Sequence, residues 1–393
     1  MDFAGREGLL QKSIGSRIRE LRRAAGLSVL ELAGRAGISQ SQLSKIETGK
    51  ATISIRVLQQ LCELLQRPLS YLFQSEQEVP RVLGTLVTVS GPESQGLKWF
   101  AQEVHRRTDG RLSIIPLRAS QLGSGADQAR HLHQGVIDLF IEDLAHFQKC
   151  LPILKTLSLP YTFHDNEEVA RFLAGPFFKE QVFHPLLERG IRLLNRRWNW
   201  LRGLEWVLVA TRPILDPDEV RGQRVRVYDS PILARFWEEM GARPVVVPWH
   251  AVKKALRNGE IDILPTHKAH LYHLGFCRHA RFVTMLGDAC PSLCVAVNER
   301  KYQALPPDIQ KALVDACDVA GNHFSDLVRT SEERSESLNI SRFKAVYIRV
   351  DLDDWHDETL RVRRRLAELG ELPAEYLNGI GKRLQASDRN GRG

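Results

Sequence analysis

The sequence predicts an α + α/β protein: a five-helix N-terminal unit built around a helix-turn-helix, then a two-lobed α/β domain. Three observations predict it. Residues 1–75 carry their apolar residues at helical spacing. From residue 81 onward, short β-rich runs alternate with helical stretches. The alternation comes in two similar series, which suggests two lobes. The 393 residues also exceed one small domain, at roughly 100–200 residues each. The boundaries expected are a helical unit at 13–75, a linker at 76–82 and the α/β domain at 83–370.

Composition narrows the function classes. With 43% hydrophobic and 26% charged residues, the chain is neither collagen-like, nor a rod, nor mainly disordered. The formal charge of +8 is unevenly placed. Residues 1–75 hold 11 Lys/Arg against 6 Asp/Glu, or +5, which leaves +3 for everything else. A basic concentration at one end suits a nucleic-acid module.

In the helical unit, Ile14, Ile18, Leu21 and Ala25 recur at three- and four-residue spacing. So do Val29, Leu32, Ala33 and Ala36, then Leu58, Leu61 and Leu65. Gly26, Gly37 and Gly49 follow these segments as stops, and Ser28, Ser39 and Ser54 stand as N-caps. Pro68 suits the first turn of a last short helix ending near Phe73. A tight turn at Gly37 before a helix starting at Ser39 makes the helix-turn-helix. The spacing puts Gln40, Ser41, Ser44 and Lys45 on the exposed face of that second helix, with Leu43 and Ile46 turned to the core. Gln pairs bidentately with adenine, and Lys donates to guanine or phosphate.

Residues 13–73 resemble the Xre/Cro-like helix-turn-helix family, through the entry RIRELRRAAGLS, the core ELAGRAGIS and the signature SQLSKIETGK. The resemblance implies binding to a double-stranded DNA operator, with Gln40, Ser41, Ser44 and Lys45 facing bases. It also implies that Arg17, Lys50 and the helix N-terminus at Ser28 hold phosphates, with Ser39 opening the reading helix. Glu47 matches the family's structural acid. Val29 replaces the usual Gln, which removes one phosphate contact.

The α/β region reads in order as the strand VLGTLVTV, a helix around GLKWFAQEVHRRT, the strand RLSIIPL, a helix around DQARHLHQG, and VIDLFIE. A second series runs through Leu204–Ala210, QRVRVYD, a helix near PILARFWEEMG, PVVVP, a helix AVKKALRNG, and IDILP. The alternation predicts parallel strands. From Pro306 the chain reads as mainly helical, with one β-like run, KAVYIRV.

Five motifs in order resemble the DctP-like solute receptors of TRAP transporters, over roughly residues 85–365. They are TDGRLSIIPLRASQLG with its following helix, ILKTLSLPYTF, RPILDPDEVRGQRVRVYDSP, MGARPVVVPWHAVKKALRNGEIDI and LPPDIQKAL. The resemblance implies a two-lobed periplasmic-binding-protein-like fold that closes on a small carboxylate. Arg226 matches the clamp arginine, whose planar guanidinium suits a carboxylate. Arg224, two residues away, is expected at the lobe surface. Trp249 matches an aromatic against the ligand, and Asp143 a polar pocket position. Thr266 replaces a usual Asn, with His267 next. A second arginine would fall at Glu205 or Trp206, and Arg202 lies three or four positions off. Trp198, Trp200 and Trp206 cluster there, either as an inter-lobe core or as stacking partners, and Trp206 and Arg202 join the ligand-binding set.

Nothing in the sequence points to catalysis. P-loop, dinucleotide fingerprint, H-E-x-x-H and G-x-S-x-G are all missing. No C-x-x-C occurs among Cys62, Cys150, Cys277, Cys290, Cys294 and Cys317, which read as buried small hydrophobes, and no metal or cofactor is expected. The N-terminus reads as no secretory signal and no apolar run nears 18 residues, so a cytoplasmic protein without membrane contact is expected. These readings combine into a homodimeric, ligand-responsive transcription regulator. The rival is a transporter-associated solute receptor whose helical module is a docking adaptor.

Overall fold

The computed structural model describes residues 3–67, 69–73, 81–86, 91–118, 122–163, 166–203, 205–288 and 292–372. Four α-helices form the N-terminal unit: α1 (Phe3–Ala24), α2 (Val29–Arg35), α3 (Gln40–Glu47) and α4 (Ile55–Leu64). The expected fifth helix is instead a 3-10 turn at Leu69–Phe73, and Pro68 lies outside the described residues. Local chemistry sets the helix starts. The Ser28, Ser39 and Ser54 hydroxyls accept from the N–H groups of Glu31, Gln42 and Val57, which have no partner within their own helix. Gly37 takes φ +64° between α2 and α3, a left-handed turn that a side chain would strain. Ile18, Leu32, Leu43 and Leu61 bury completely to form this unit's core.

Eleven strands follow among the described residues, and they form two sheets. In chain order they are β1 (Arg81–Leu86), β2 (Ser113–Arg118), β3 (Leu139–Glu142), β4 (Ile191–Leu193), β5 (Trp206–Ala210) and β6 (Arg224–Val227). Then come β7 (Arg243–Val246), β8 (Ile263–His267), β9 (Phe282–Asp288), β10 (Cys294–Asn298) and β11 (Val346–Arg349). The first sheet has the order β2-β1-β3-β10-β4, the second β11-β9-β5-β8-β6-β7. β1 begins at Arg81, inside the expected linker, and 76–80 lie outside the described residues.

The all-parallel expectation is corrected. β1–β2, β1–β3, β6–β7, β6–β8 and β9–β11 are parallel, whereas β10 runs antiparallel to β3 and β4, and β5 to β8 and β9. The reason is topological. The chain leaves the first sheet after β4, enters the second at β5, and returns between β9 and β10. A strand that arrives from the other lobe is not bound to a right-handed βαβ crossover. A 37-residue helix, Pro307–Phe343, makes the third crossing. Its Ala316, Ala320 and Phe324 pack in the core beneath helix α5 (Gly91–Arg107) of the first lobe, and its end leads to β11 of the second.

The helical unit seats on the outer strand β2. Ile115 and Leu117 of β2 pack against its core, and Ile55, the first residue of α4, joins the lobe core that contains Leu122. Pro116, which lacks an N–H, is tolerated there because β2 is an edge strand.

Candidate functional site

Two sites emerge. On the helical unit, Gln40, Ser41, Ser44 and Lys45 are exposed on α3, as is Lys50 beyond it, while Leu43 and Ile46 are buried. Behind this face the Arg22 guanidinium grips Glu47 with two bonds, Nε–Oε1 at 2.6 Å and Nη2–Oε2 at 3.0 Å, both side chains being buried. Glu47 therefore holds α3 on α1. The phosphate roles are less simple. Arg17 donates from Nη1 to the Leu72 carbonyl at 2.9 Å, and the Ser28 N–H donates to Glu31 Oε2 at 2.7 Å. A phosphate at either place competes with an internal partner.

Between the two lobes lies a cavity of about 440 Å³, within the usual range of roughly 300–1,000 Å³ for small-molecule sites. Arg226, Trp249, Asp143, Thr266, Trp206 and Arg202 all line it, with His267 beside them. Strand β6 carries Arg226 inward. Its Nε donates to the Val247 carbonyl at 3.0 Å, and its guanidinium lies 5.4 Å from the Trp249 ring centre. Neither Nη atom has a hydrogen-bond partner among the described residues, although the residue is only 9% exposed. Burial pulls its pKa down to about 10, and Tyr228 and Glu142 offset this only in part. Arg224, on the same strand, is tied at the lobe surface to Asp262 (2.6 and 2.9 Å) and to the Gly259 carbonyl.

Arg202 sits in the cavity wall on the first inter-lobe crossing, but its charge is already answered. Its Nε lies 2.7 Å from Glu93 Oε1 and its Nη2 meets Glu142 Oε1. Glu93 also joins the lobes: His270 Nε2 lies 3.0 Å away, and His270 Nδ1 lies 3.0 Å from Thr266 Oγ1. The carboxyls of Glu142 and Asp143 are both pushed above their ordinary range, mainly by burial. His146 stacks edge-on against Tyr228, and burial lowers its pKa to about 4, so it is neutral at pH 7. Gly125 permits this, since a Cβ there would stand 2.3 Å from His146 Nε2.

The tryptophans separate. Trp206 reaches the cavity and stacks on His267, with centroids 4.4 Å apart. Trp200 is a core residue whose Nε1 donates to the Cys317 carbonyl, and Trp198 packs on Phe178, so neither belongs to the site. Cys62, Cys277, Cys294 and Cys317 are buried and Cys150 half-buried, all as free thiols, while Cys290 lies outside the described residues. Sequence reading missed Glu93, Gln128, Glu142, His146 and His270. Glu142 had a usable signal, an acid closing an apolar strand beside Asp143; the others had none.

Two lobes, three crossings and an inter-lobe cavity follow the layout of solute receptors, and residues 69–362 match the family model described as bacterial extracellular solute-binding protein, family 7. The chain belongs to this family. Residues 18–72 match a helix-turn-helix family model, so a family 7 solute-binding domain here follows a helix-turn-helix unit. The 2,3-diketo-L-gulonate-binding periplasmic protein YiaO of Escherichia coli is 25% identical over 256 residues, 65% of this chain and 76% of that protein. The ectoine-binding periplasmic protein TeaA of Halomonas elongata is 24% identical over 279 residues, 68% and 77% respectively. A Roseobacter denitrificans TRAP periplasmic solute-binding protein, solved with β-D-glucuronate, shares the fold at a TM-score of 0.69 and 20% identity, covering 78% of this chain and 99% of that one. One from Shewanella oneidensis with bound succinate aligns at 0.66 and 20%, covering 73% and 94%.

Proposed function

We propose that this protein is a ligand-responsive DNA-binding transcription regulator. Its α3 face reads an operator, and its family 7 domain closes on a small organic acid. The observation that carries the reading is Arg226: a buried guanidinium with neither Nη atom answered among the described residues, lining an inter-lobe cavity, on a chain that also has a helix-turn-helix unit with an exposed polar second helix. A carboxylate supplies the missing partner through two parallel charge-assisted bonds. The relatives named for 2,3-diketo-L-gulonate and C4-dicarboxylates support an acid. The protein acts in the cytoplasm, where its operator is, as a homodimer on two half-sites about one DNA turn apart. It has no catalytic role.

The fold offers a route between the sites. Ile55 of the helical unit packs into the core containing Leu122, and the next residues, Gly123 to Gly125, line the cavity. The acid acts only through different affinities for two states of the protein, and the coupling must then be reciprocal. The test is a fluorescence-anisotropy titration of the protein's own upstream DNA, with and without an acid found by thermal-shift screening. DNA affinity should change, and DNA should change acid affinity by the same factor. Acid binding that leaves DNA affinity untouched sinks the regulatory reading, and acid binding with no DNA binding at all favours the receptor with a docking adaptor.

A further inference from the structure

The cavity is electrically lopsided, and that bears on which acid it takes. Resting on the carboxylate reading above, we propose that the ligand is a monocarboxylate whose other end carries hydrogen-bond donors, hydroxyl or ammonium, and that dicarboxylates are rejected.

Arg226 marks the anionic end. The other buried guanidinium, Arg202, is held by Glu93 and Glu142 and offers no free charge. Lys253 lines the cavity too, but it is exposed, on the short helix Val252–Arg257, and not buried with the other two. The rest of the first-lobe wall is acceptor-rich. Gln128 is 2% exposed; its Nε2 donates to the Gly123 carbonyl at 3.3 Å, which fixes the amide orientation, because its oxygen would repel that carbonyl. Its Oε1 then has no hydrogen-bond partner among the described residues. Glu142, 3% exposed, uses Oε1 for Arg202 and the Asp143 N–H, and its Oε2 likewise has no partner. Asp143 accepts the Ala145 N–H on Oδ1, and no ion pair holds it among the described residues.

Buried acceptors are costly to leave unanswered. A ligand hydroxyl or ammonium gives them protons. A second ligand carboxylate at this wall instead meets the acceptor oxygens of Glu142 and Asp143, with no buried cation left over.

The test is calorimetric binding to the full chain. The probes are gluconate (hydroxyl donors), 2,4-diaminobutyrate (ammonium donors), butyrate (no donors) and succinate (a second carboxylate). One or both donor-bearing monoacids should bind at least ten-fold tighter than butyrate, and succinate should be weakest. The better of the two identifies the donor. Gln128→Met should remove most of the advantage over butyrate, while Asp143→Asn should raise succinate affinity about ten-fold. Succinate binding as tightly as the best monoacid overturns the inference but leaves the carboxylate reading standing. Butyrate equal to both donor-bearing acids overturns it in the same way. If no acid binds, or if Arg226→Ala leaves their binding unchanged, the carboxylate reading itself fails.

Discussion

The helical unit and the inter-lobe cavity both recognise anions in this reading, yet they keep their cations in opposite ways. On α3 and just beyond it, Lys45 and Lys50 stand exposed and hydrated. A polyanion approaching from water meets them as they are. In the cavity the two arginines are buried, and buried charge is costly unless it is paired. Among the described residues, Arg202 is answered by two carboxylates and Arg226 is ion-paired to none. The contrast separates a charge that holds the structure from a charge that awaits a partner, a distinction the exposed α3 face does not need.

Substitutions can break or sharpen this contrast. The largest effect is expected from Arg202→Met, which leaves Glu93 and Glu142 buried without their cation. The loss should be about 3–5 kcal/mol in the stability of the solute-binding domain, read by thermal unfolding. A small loss would mean that the pair is not structural. Arg226→Ala should do the reverse: unliganded stability held or raised, and acid-induced stabilisation gone. A charge-assisted hydrogen bond is worth roughly 1.5–3 kcal/mol, so isothermal titration should show at least a ten-fold loss of affinity.

Gln40→Ala with Lys45→Ala should abolish operator binding in a gel shift and leave the melting curve alone, each base contact being worth about 1–3 kcal/mol. Unchanged binding would remove α3 from the major groove. Acid should act on one region only. His146 and His273 are held down to about 4 by burial, below their ordinary 6.5. Their neutral forms favour the fold, so that contribution is complete above pH 6.5 and is lost as pH falls from 6.5 towards 4. Residues 1–75 contain no histidine. His131, His267 and His279 are lowered too, so His146→Asn with His273→Asn should reduce, not abolish, the pH dependence of the solute-binding domain's melting over that window and leave that of α1–α4 unchanged. The smallest effect belongs to Arg224→Ala. Its ion pair with Asp262 lies half in solvent, so the melting temperature should barely move, with acid affinity unchanged by calorimetry.

The same contrast explains what was legible in the sequence. The helix-turn-helix is written locally: Ser28, Ser39 and Ser54 cap within three residues, and Gly37 turns the chain where it stands. Strand β6 was legible for a similar reason, since RVRV alternates, but alternation puts Arg224 and Arg226 on one face, and only the family resemblance set Arg226 apart. Strand β10 was not, because CVAVN is buried throughout and shows no alternation. Arg202 illustrates the deeper limit. Nothing near it announces Glu93 or Glu142, which reach it only once the chain has crossed between lobes. The mixed strand directions hid for the same reason, as they follow from where the crossings fall.

The seat of the helical unit on β2 has a consequence for cutting the protein. Ile115 and Leu117 are shielded by that unit, and β2 ends its sheet. A fragment starting near Arg81 would carry an uncovered outer strand with two apolar side chains, the kind of template on which chains stack. Pro116 alone would guard it, by withholding one N–H. Residues 1–73 thus double as a protective cap, and the severed solute-binding domain should self-associate with rising concentration where the whole chain does not.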